Sequence, residues 1–315
     1  MGEYIGIRFG RVDTGTGQVD WIYRDHDEFD GIGGFGSILR SQGVPIESLP
    51  DKTFAAQSSG AALLKALPQL AMPRKVLSWN EEVIRTSAPT QQTSSSPSAV
   101  AWQVFSEHET EAIKLACSSQ GVTVNSLLLR HLSSAIRPSL DDPMALIPWM
   151  IPVNLRGRVV QQADTGNHSS YVAVKVSSED SARKVHSNIY KKIERGEHFA
   201  NWKAYEVTRS LPEKIKKHLI ETNRAMLQWN VGSFSNLGVW DVDKQIDNSY
   251  CSAPWLFAPP VLRCQLIGAG CITFQGQLSI MLQAHPALTT SEKIVSGWLR
   301  SWVEQIELDT PYVGA

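Results

Sequence analysis

Apolar and polar residues alternate from Tyr4 to Phe9 and again from Gln18 to Tyr23, the period-two pattern of half-buried strands. Between them Asp13-Thr-Gly-Thr-Gly supplies turn chemistry. The two runs therefore predict a hairpin with a five-residue, glycine-containing loop. A glycine-rich bend is expected at Gly31 to Gly36, followed by a short helix around Phe35 to Ser41. A further helical turn is expected at Ala61 to Leu67, stopped near Pro68.

After residue 98 the pattern is more regular. Ala99 to Phe105 reads as a strand, and Ser106 with Glu109 three residues on reads as a capping box. The helix it opens carries Ile113, Leu115 and Ala116 and should end at Gly121. Thr123 opens a second helix with Leu127, Leu128, Leu129, Leu132 and Ile136. Strands are expected at Met144 to Val153 and Ser170 to Val176, and helices at Glu179 to Arg195 and Pro212 to Leu227. Strand-like runs return at Asn230 to Ser235, Val261 to Ile267, Cys271 to Phe274 and Leu278 to Leu282, the last two joined by a turn at Gln275-Gly276-Gln277. The final helix, Ser291 to Ile306, places Ile294, Trp298, Trp302 and Ile306 on one face.

Strands and helices alternate loosely, and no repeat of 20–50 residues is visible, which predicts an α/β chain with α+β mixed sheets. The stretch Thr86 to Ser98, TSAPTQQTSSSPS, has almost nothing to bury and reads as a linker. It divides a first unit, 1–98, from a second, 99–315. A net charge of −1 gives no electrostatic case for nucleic acid. No run approaches the roughly 20 apolar residues of a membrane span, and the first residues lack a secretory pattern, so a cytoplasmic protein is expected. Cys117, Cys251, Cys264 and Cys271 form no CxxC pair or zinc spacing and are expected to be reduced core thiols. The histidines form no metal-ligand cluster, so no metal is expected.

The chemistry concentrates in Arg24-Asp-His-Asp-Glu-Phe-Asp-Gly-Ile-Gly-Gly. Gly31-x-Gly33-x-x-Gly36 formally matches a dinucleotide fingerprint, which would suit a nucleotide-binding oxidoreductase. The fingerprint needs a buried apolar strand leading into its first glycine. Here the approach is acidic, which would repel a pyrophosphate from the helix N-terminus. The alternative is His26-x-x-x-Asp30-Gly31 at a strand end. A histidine leaving a strand can project into a cleft, and its near-neutral pKa suits proton abstraction from a hydroxyl, amine or thiol. Asp30 would turn away and lock the loop through a buried arginine, and Gly31 would permit backbone geometry that a Cβ resists.

This pattern resembles the HxxxDG motif of acyltransferases with the chloramphenicol-acetyltransferase fold, among them condensation domains, BAHD enzymes, alcohol acetyltransferases and wax ester synthases. Further segments resemble that superfamily in chain order. They are the hairpin Tyr4 to Tyr23, the helix and Gly121-Val-Thr turn after Phe105, and Ile151-Pro-Val-Asn-Leu-Arg156-Gly-Arg158. After these come Gly166-Asn167, Ser235-Asn236-Leu-Gly238 and the hairpin at Phe274-Gln-Gly-Gln-Leu278. Ser235-Asn236-x-Gly238 is nearest to the alcohol-acetyltransferase and wax-ester branch. The tandem histidine of condensation domains is replaced by Asp25, and the DFGWG element of BAHD enzymes is missing. The resemblance begins almost at Met1, so the first lobe is expected to be shortened, as a short variant, a fragment or a chain completed by a partner.

The resemblance implies a two-lobe fold with the site between the lobes, and His26 as general base in acyl transfer from a thioester to a hydroxyl or amine. Asp30 would be structural, paired with Arg156 or, second, Arg158. Ser235 and Asn236 would donate to the oxyanion or the acceptor. No bound cofactor is implied. The co-substrate would be acyl-CoA or a carrier-protein thioester, with CoA favoured. Partners would be the small-molecule donor and acceptor, a possible second copy, or a complementing chain. The alternative is a non-catalytic or partner-dependent subunit that keeps the fold.

Overall fold

The computed structural model describes residues 6–50, 77–87, 99–159, 163–209, 212, 230–243, 249–262 and 265–310. In chain order the elements are β1 (Gly6–Val12), β2 (Val19–Asp25), α1 (Gly31–Ser41), α2 (Glu81–Ile84), β3 (Ala99–Val104), α3 (Glu107–Gln120) and α4 (Val124–Ile136). After a 3-10 turn at Arg137–Ser139 come β4 (Ile147–Asn154), β5 (Ser169–Val176), α5 (Ala182–Glu194), α6 (Glu197–Arg209) and β6 (Asn230–Trp240). The chain continues with α7 (Ser249–Ser252), β7 (Trp255–Ala258), β8 (Gln265–Phe274), β9 (Gln277–Ala284) and α8 (Glu292–Asp309). The helices expected at Ala61 to Leu67 and Pro212 to Leu227, and most of the stretch 86–98, lie outside the described residues.

The hairpin β1–β2 forms in register from Gly6↔Asp25 to Val12↔Val19. Asp13 Oδ1 accepts the amides of Gly15 and Thr16 and organises the turn. The Asp13 amide bonds to Gln18 O, so the loop closes one residue beyond Gly17.

The larger sheet has six strands in the order β3-β9-β8-β6-β4-β5. β4–β6 and β6–β8 run parallel and the other pairs antiparallel. Alternation gives it an apolar face where Trp149, Ile151, Val172, Val174, Ile280 and Leu282 meet α4, α5 and α8 through Leu128, Leu132, Val185 and Trp302. Each such side chain contributes about 1.5–3 kcal/mol on burial. The helix starts are local. Ser106 and Glu109 form the reciprocal capping box of α3, Gly121 ends that helix at φ 65°, and Thr123 caps α4.

β7 joins the other edge of β1, giving a three-stranded sheet β2-β1-β7 with one strand from beyond residue 98. β7 also crosses the face of the larger sheet opposite the helices. A Cβ on Gly270 would stand 2.1 Å from Phe257 O, and one on Gly268 would stand 2.4 Å from Pro259 O. Ser279 Oγ donates to Trp255 O, and Gln283 Nε2 donates to Pro259 O at 2.6 Å. A second core forms where α1 wedges between the sheets. Phe35 stands edge-on to Trp240, Trp255 and Phe274 at ring separations of 4.8, 5.1 and 5.9 Å.

Several elements differ from expectation. The glycine-rich segment is no bend: α1 begins at Gly31, because Asp30 accepts the Gly33 amide and caps it. The runs Val261 to Ile267 and Cys271 to Phe274 belong largely to one strand, β8, whose interior glycines serve the crossing of β7. β6 extends to Trp240 through a bulge between Asn236 and Val239. β7 and α6 had no clear sequence signal. All four residues of β7 are buried, so alternation is lost, and the buried residues described in α6, His198, Phe199, Ala200 and Trp202, crowd into little more than one turn.

Candidate active site

β2 delivers His26 into a tight turn closed by Phe29 N–H on Asp25 O at 2.9 Å. His26 Nδ1 lies 2.9 Å from Phe29 O. A carbonyl can only accept, so Nδ1 carries the hydrogen, and in the neutral ring the basic lone pair sits on Nε2. Nε2 makes no hydrogen bond among the described residues. The half-buried ring is thus held in the tautomer a general base needs.

Asp30 is 3% exposed and Arg156 6%. Their ion pair is bidentate, Nη1 to Oδ2 at 2.8 Å and Nη2 to Oδ1 at 2.9 Å. Asp30 Oδ1 also accepts the Gly33 amide, and Oδ2 the His168 amide. Arg156 uses its remaining donors on Asp164 O, Asn154 Oδ1 and Gly166 O. All five guanidinium hydrogens are matched, which is what lets a buried pair persist. Of the two candidate partners, Arg156 meets Asp30.

Three further contacts pin this loop and α1 to the segment after β4. Asn167 Nδ2 donates to His26 O at 3.0 Å, Phe29 bridges Gly166, and Arg40 of α1 forks onto Asp164 at 2.9 and 2.7 Å. That fork holds the Asp164 carboxyl below its usual range, but both groups are largely solvated and stabilise little. The roles of Asn154 and His168 had no sequence signal, His168 because its contribution is a backbone amide.

Gly31 sits in right-handed helix, not at positive φ. It is glycine because a Cβ would stand 2.6 Å from Leu237 Cδ2 and 3.0 Å from Phe257 Cζ. At Gly33 a Cβ would stand 1.9 Å from Thr165 O. The dinucleotide reading fails on the same geometry. β2 lies in an antiparallel pair, and the glycines are the first turns of the helix rather than a loop leading to it.

Leu237, which meets Gly31, also places the Ser-Asn element. Ser235 is buried at 8% on β6 opposite Gly270, on the face that β7 crosses. Asn236 is exposed and its Oδ1 accepts the Gly238 amide at 2.7 Å, shaping the bulge. Ser233, two residues earlier, shares Ser235's face opposite Gly268. It is fully buried, and its hydroxyl has no partner among the described residues.

No family model matches the chain, and no curated protein matches it in sequence. Solved structures do. The epimerization domain from the third module of tyrocidine synthetase B matches at 15% identity and a TM-score of 0.57, over 93% of this chain and 69% of that one. The EpoB cyclization-docking bidomain of Sorangium cellulosum matches at 12% identity and 0.58, over 94% and 61%. The fold is that of condensation domains. A condensation domain of the enacyloxin polyketide synthase, associated with chain release, matches at 12% identity and 0.51, over 93% and 58%. The chain therefore spans about three-fifths to two-thirds of these condensation-fold relatives. Among the described residues no helix is long and apolar enough to cross a membrane.

Proposed function

We propose that the chain is an acyltransferase that moves an acyl group from a thioester to a hydroxyl or amine, with His26 as general base. The observation that carries this reading is the His26 tautomer: Nδ1–H on Phe29 O leaves Nε2 as the proton acceptor. In the reaction the acceptor O–H or N–H gives its proton to Nε2 as its heteroatom attacks the thioester carbonyl. The tetrahedral adduct collapses with loss of thiolate, which takes the proton back from the imidazolium. The acyl group ends on the acceptor and a free thiol is released. No covalent enzyme intermediate is needed.

Asp30 holds the loop and takes no proton, because each of its oxygens already accepts two hydrogen bonds. Ser235 is the candidate donor to the adduct's oxyanion, with the exposed Asn236 amide second. The donor is acyl-CoA. A carrier-protein thioester is the alternative, supported by the condensation-domain relatives. The alternative is a non-catalytic or partner-dependent subunit that keeps this fold; the His26 tautomer, which leaves Nε2 open, supports the catalytic reading over it.

The test is release of free thiol from a panel of acyl-CoAs with alcohol and amine acceptors, alongside His26→Ala. Acceptor-dependent thiol release that falls about 10²–10⁴-fold in the variant is expected. Equal rates in both proteins would remove His26 as base. Silence with CoA donors and turnover with a carrier-bound acyl group would replace the donor.

A further inference from the structure

We propose that Arg8, with Trp21 and Tyr23, forms a receptor for an oxyanion, a carboxylate or phosphate group, on the face of the small sheet opposite α1. β1 alternation puts Arg8, Gly10 and Val12 on that face, with Tyr23, Trp21 and Val19 beside them from β2 and Ala258 and Leu256 from β7. The Arg8 Cζ lies 5.4 Å from the Trp21 ring centroid and 5.3 Å from that of Tyr23. The floor is small: a Cβ on Gly10 would stand 2.7 Å from Trp21 Cζ3, so the indole lies against bare backbone. Aromatic faces hold a guanidinium without using its N–H edge, and that planar edge is what matches a carboxylate or phosphate in bidentate fashion.

The edge is unused. Arg8 Nε is buried without a partner, and no carboxylate among the described residues pairs with Arg8. Burial holds the guanidinium pKa below its ordinary value, with Tyr23 alone acting the other way. The contrast with other arginines is chemical. Arg156 and Arg40 meet a carboxylate in a fork, Arg11 meets Asp20, and Arg137 is met by the carbonyls of Pro143, Ala145 and Val176. The carboxylate that shares Arg8's face by alternation, Asp25, accepts the Asp27 amide. A desolvated cation without a counter-charge is unfavourable in the empty protein and favourable once an anion arrives. Tyr23 is three residues before His26, so at about 3.3 Å per residue the receptor lies roughly 10 Å along β2 from the imidazole. It stands on the geometry of the small sheet and not on the acyl-transfer reading.

Isothermal titration with sodium benzoate and with inorganic phosphate, against sodium chloride at matched ionic strength, reads the site directly. The proteins are the unaltered chain, Arg8→Met, Arg8→Lys and His26→Ala. Saturable binding of benzoate, of phosphate or of both is expected for the unaltered chain and for His26→Ala, the anion that binds naming the group. Affinity should fall at least tenfold in Arg8→Met and by less in Arg8→Lys, which keeps charge without the fork. Without anion, Arg8→Met should melt no lower than the unaltered chain, since it removes a desolvated charge. No saturable binding of either anion, or equal binding by Arg8→Met, would overturn the receptor. So would a lower melting temperature in Arg8→Met with binding retained in Arg8→Lys at full strength, which would mark Arg8 as a structural residue. Because His26→Ala binds and does not turn over, loss of the receptor and loss of the acyl-transfer reading are separate results.

Discussion

At the scale of the residue, His26 owes its chemistry to its neighbours. Its ring is set by the Phe29 carbonyl, its backbone by Asn167, and its loop by the Asp30–Arg156 pair. Both members of that pair are almost fully buried, so removing one leaves the other charged and desolvated. Arg156→Ala should lower stability by about 3–5 kcal/mol, read by urea unfolding. Arg156→Lys should recover only part of this, because an ammonium cannot reproduce the fork or fill the remaining acceptors. A loss below 1 kcal/mol in Arg156→Ala would show the pair to be dispensable. Asn167→Ala removes one hydrogen bond to the His26 carbonyl and should cost about 0.5–1.5 kcal/mol, with turnover reduced beyond that effect if the bond positions the base. The Asp30–Arg156 contact is implied by the family resemblance, with Arg158 as the second candidate. The Asn154, Gly166 and His168 contributions are not, since two are backbone groups and carry no residue signature.

At the scale of the element, glycine is used for proximity more than for conformation. The run that begins at Gly31 reads locally as a bend, because glycine is a poor helix former. It is helix because Asp30 caps it and because the surrounding chain stands too close for side chains. Gly33→Ala would drive a Cβ into the Thr165 carbonyl, which is backbone and cannot swing aside. Despite alanine's better helix propensity, the variant should lose about 1–3 kcal/mol. A stabilised Gly33→Ala would contradict the close approach. Gly270→Ala should be destabilising by a similar amount, with β7 displaced from β8. Amide exchange of Leu256 and Phe257 should then quicken if β7 is the element that lifts. In both segments the local propensity reading failed for one reason: it priced glycine against its own helix or strand and not against another chain lying on top of it.

At the scale of the whole molecule, the small sheet is completed by β7, which also lies across the large one, so the two sheets share a core. The core also holds titratable groups. Burial brings His198 down to about 4, and His131, beside Asp309, down to about 4. Both are neutral in the folded chain at pH values where the unfolded chain, near 6.5, already binds protons. Stability should therefore be complete above about pH 6.5 and fall as pH drops from 6.5 toward 4, by up to about 1.4 kcal/mol per pH unit for each histidine. Urea midpoints across that range should be less pH-dependent in His198→Gln, and an unchanged slope would remove His198 as a source.

The chain's local signals were enough for the hairpin, the capped helices, the amphipathic α8 and the position of His26 and Asp30 within one motif. Caps, alternation and turn chemistry act over a few residues, so they are written in neighbouring letters. Tertiary structure alone decided that β7 joins β1, that α1 starts at Gly31, that Arg8 stands without a counter-charge and that Ser233 shares a buried face with Ser235. Each depends on which distant segment comes to lie against a residue, and that choice is made by the packing of whole layers, which no single stretch of sequence records.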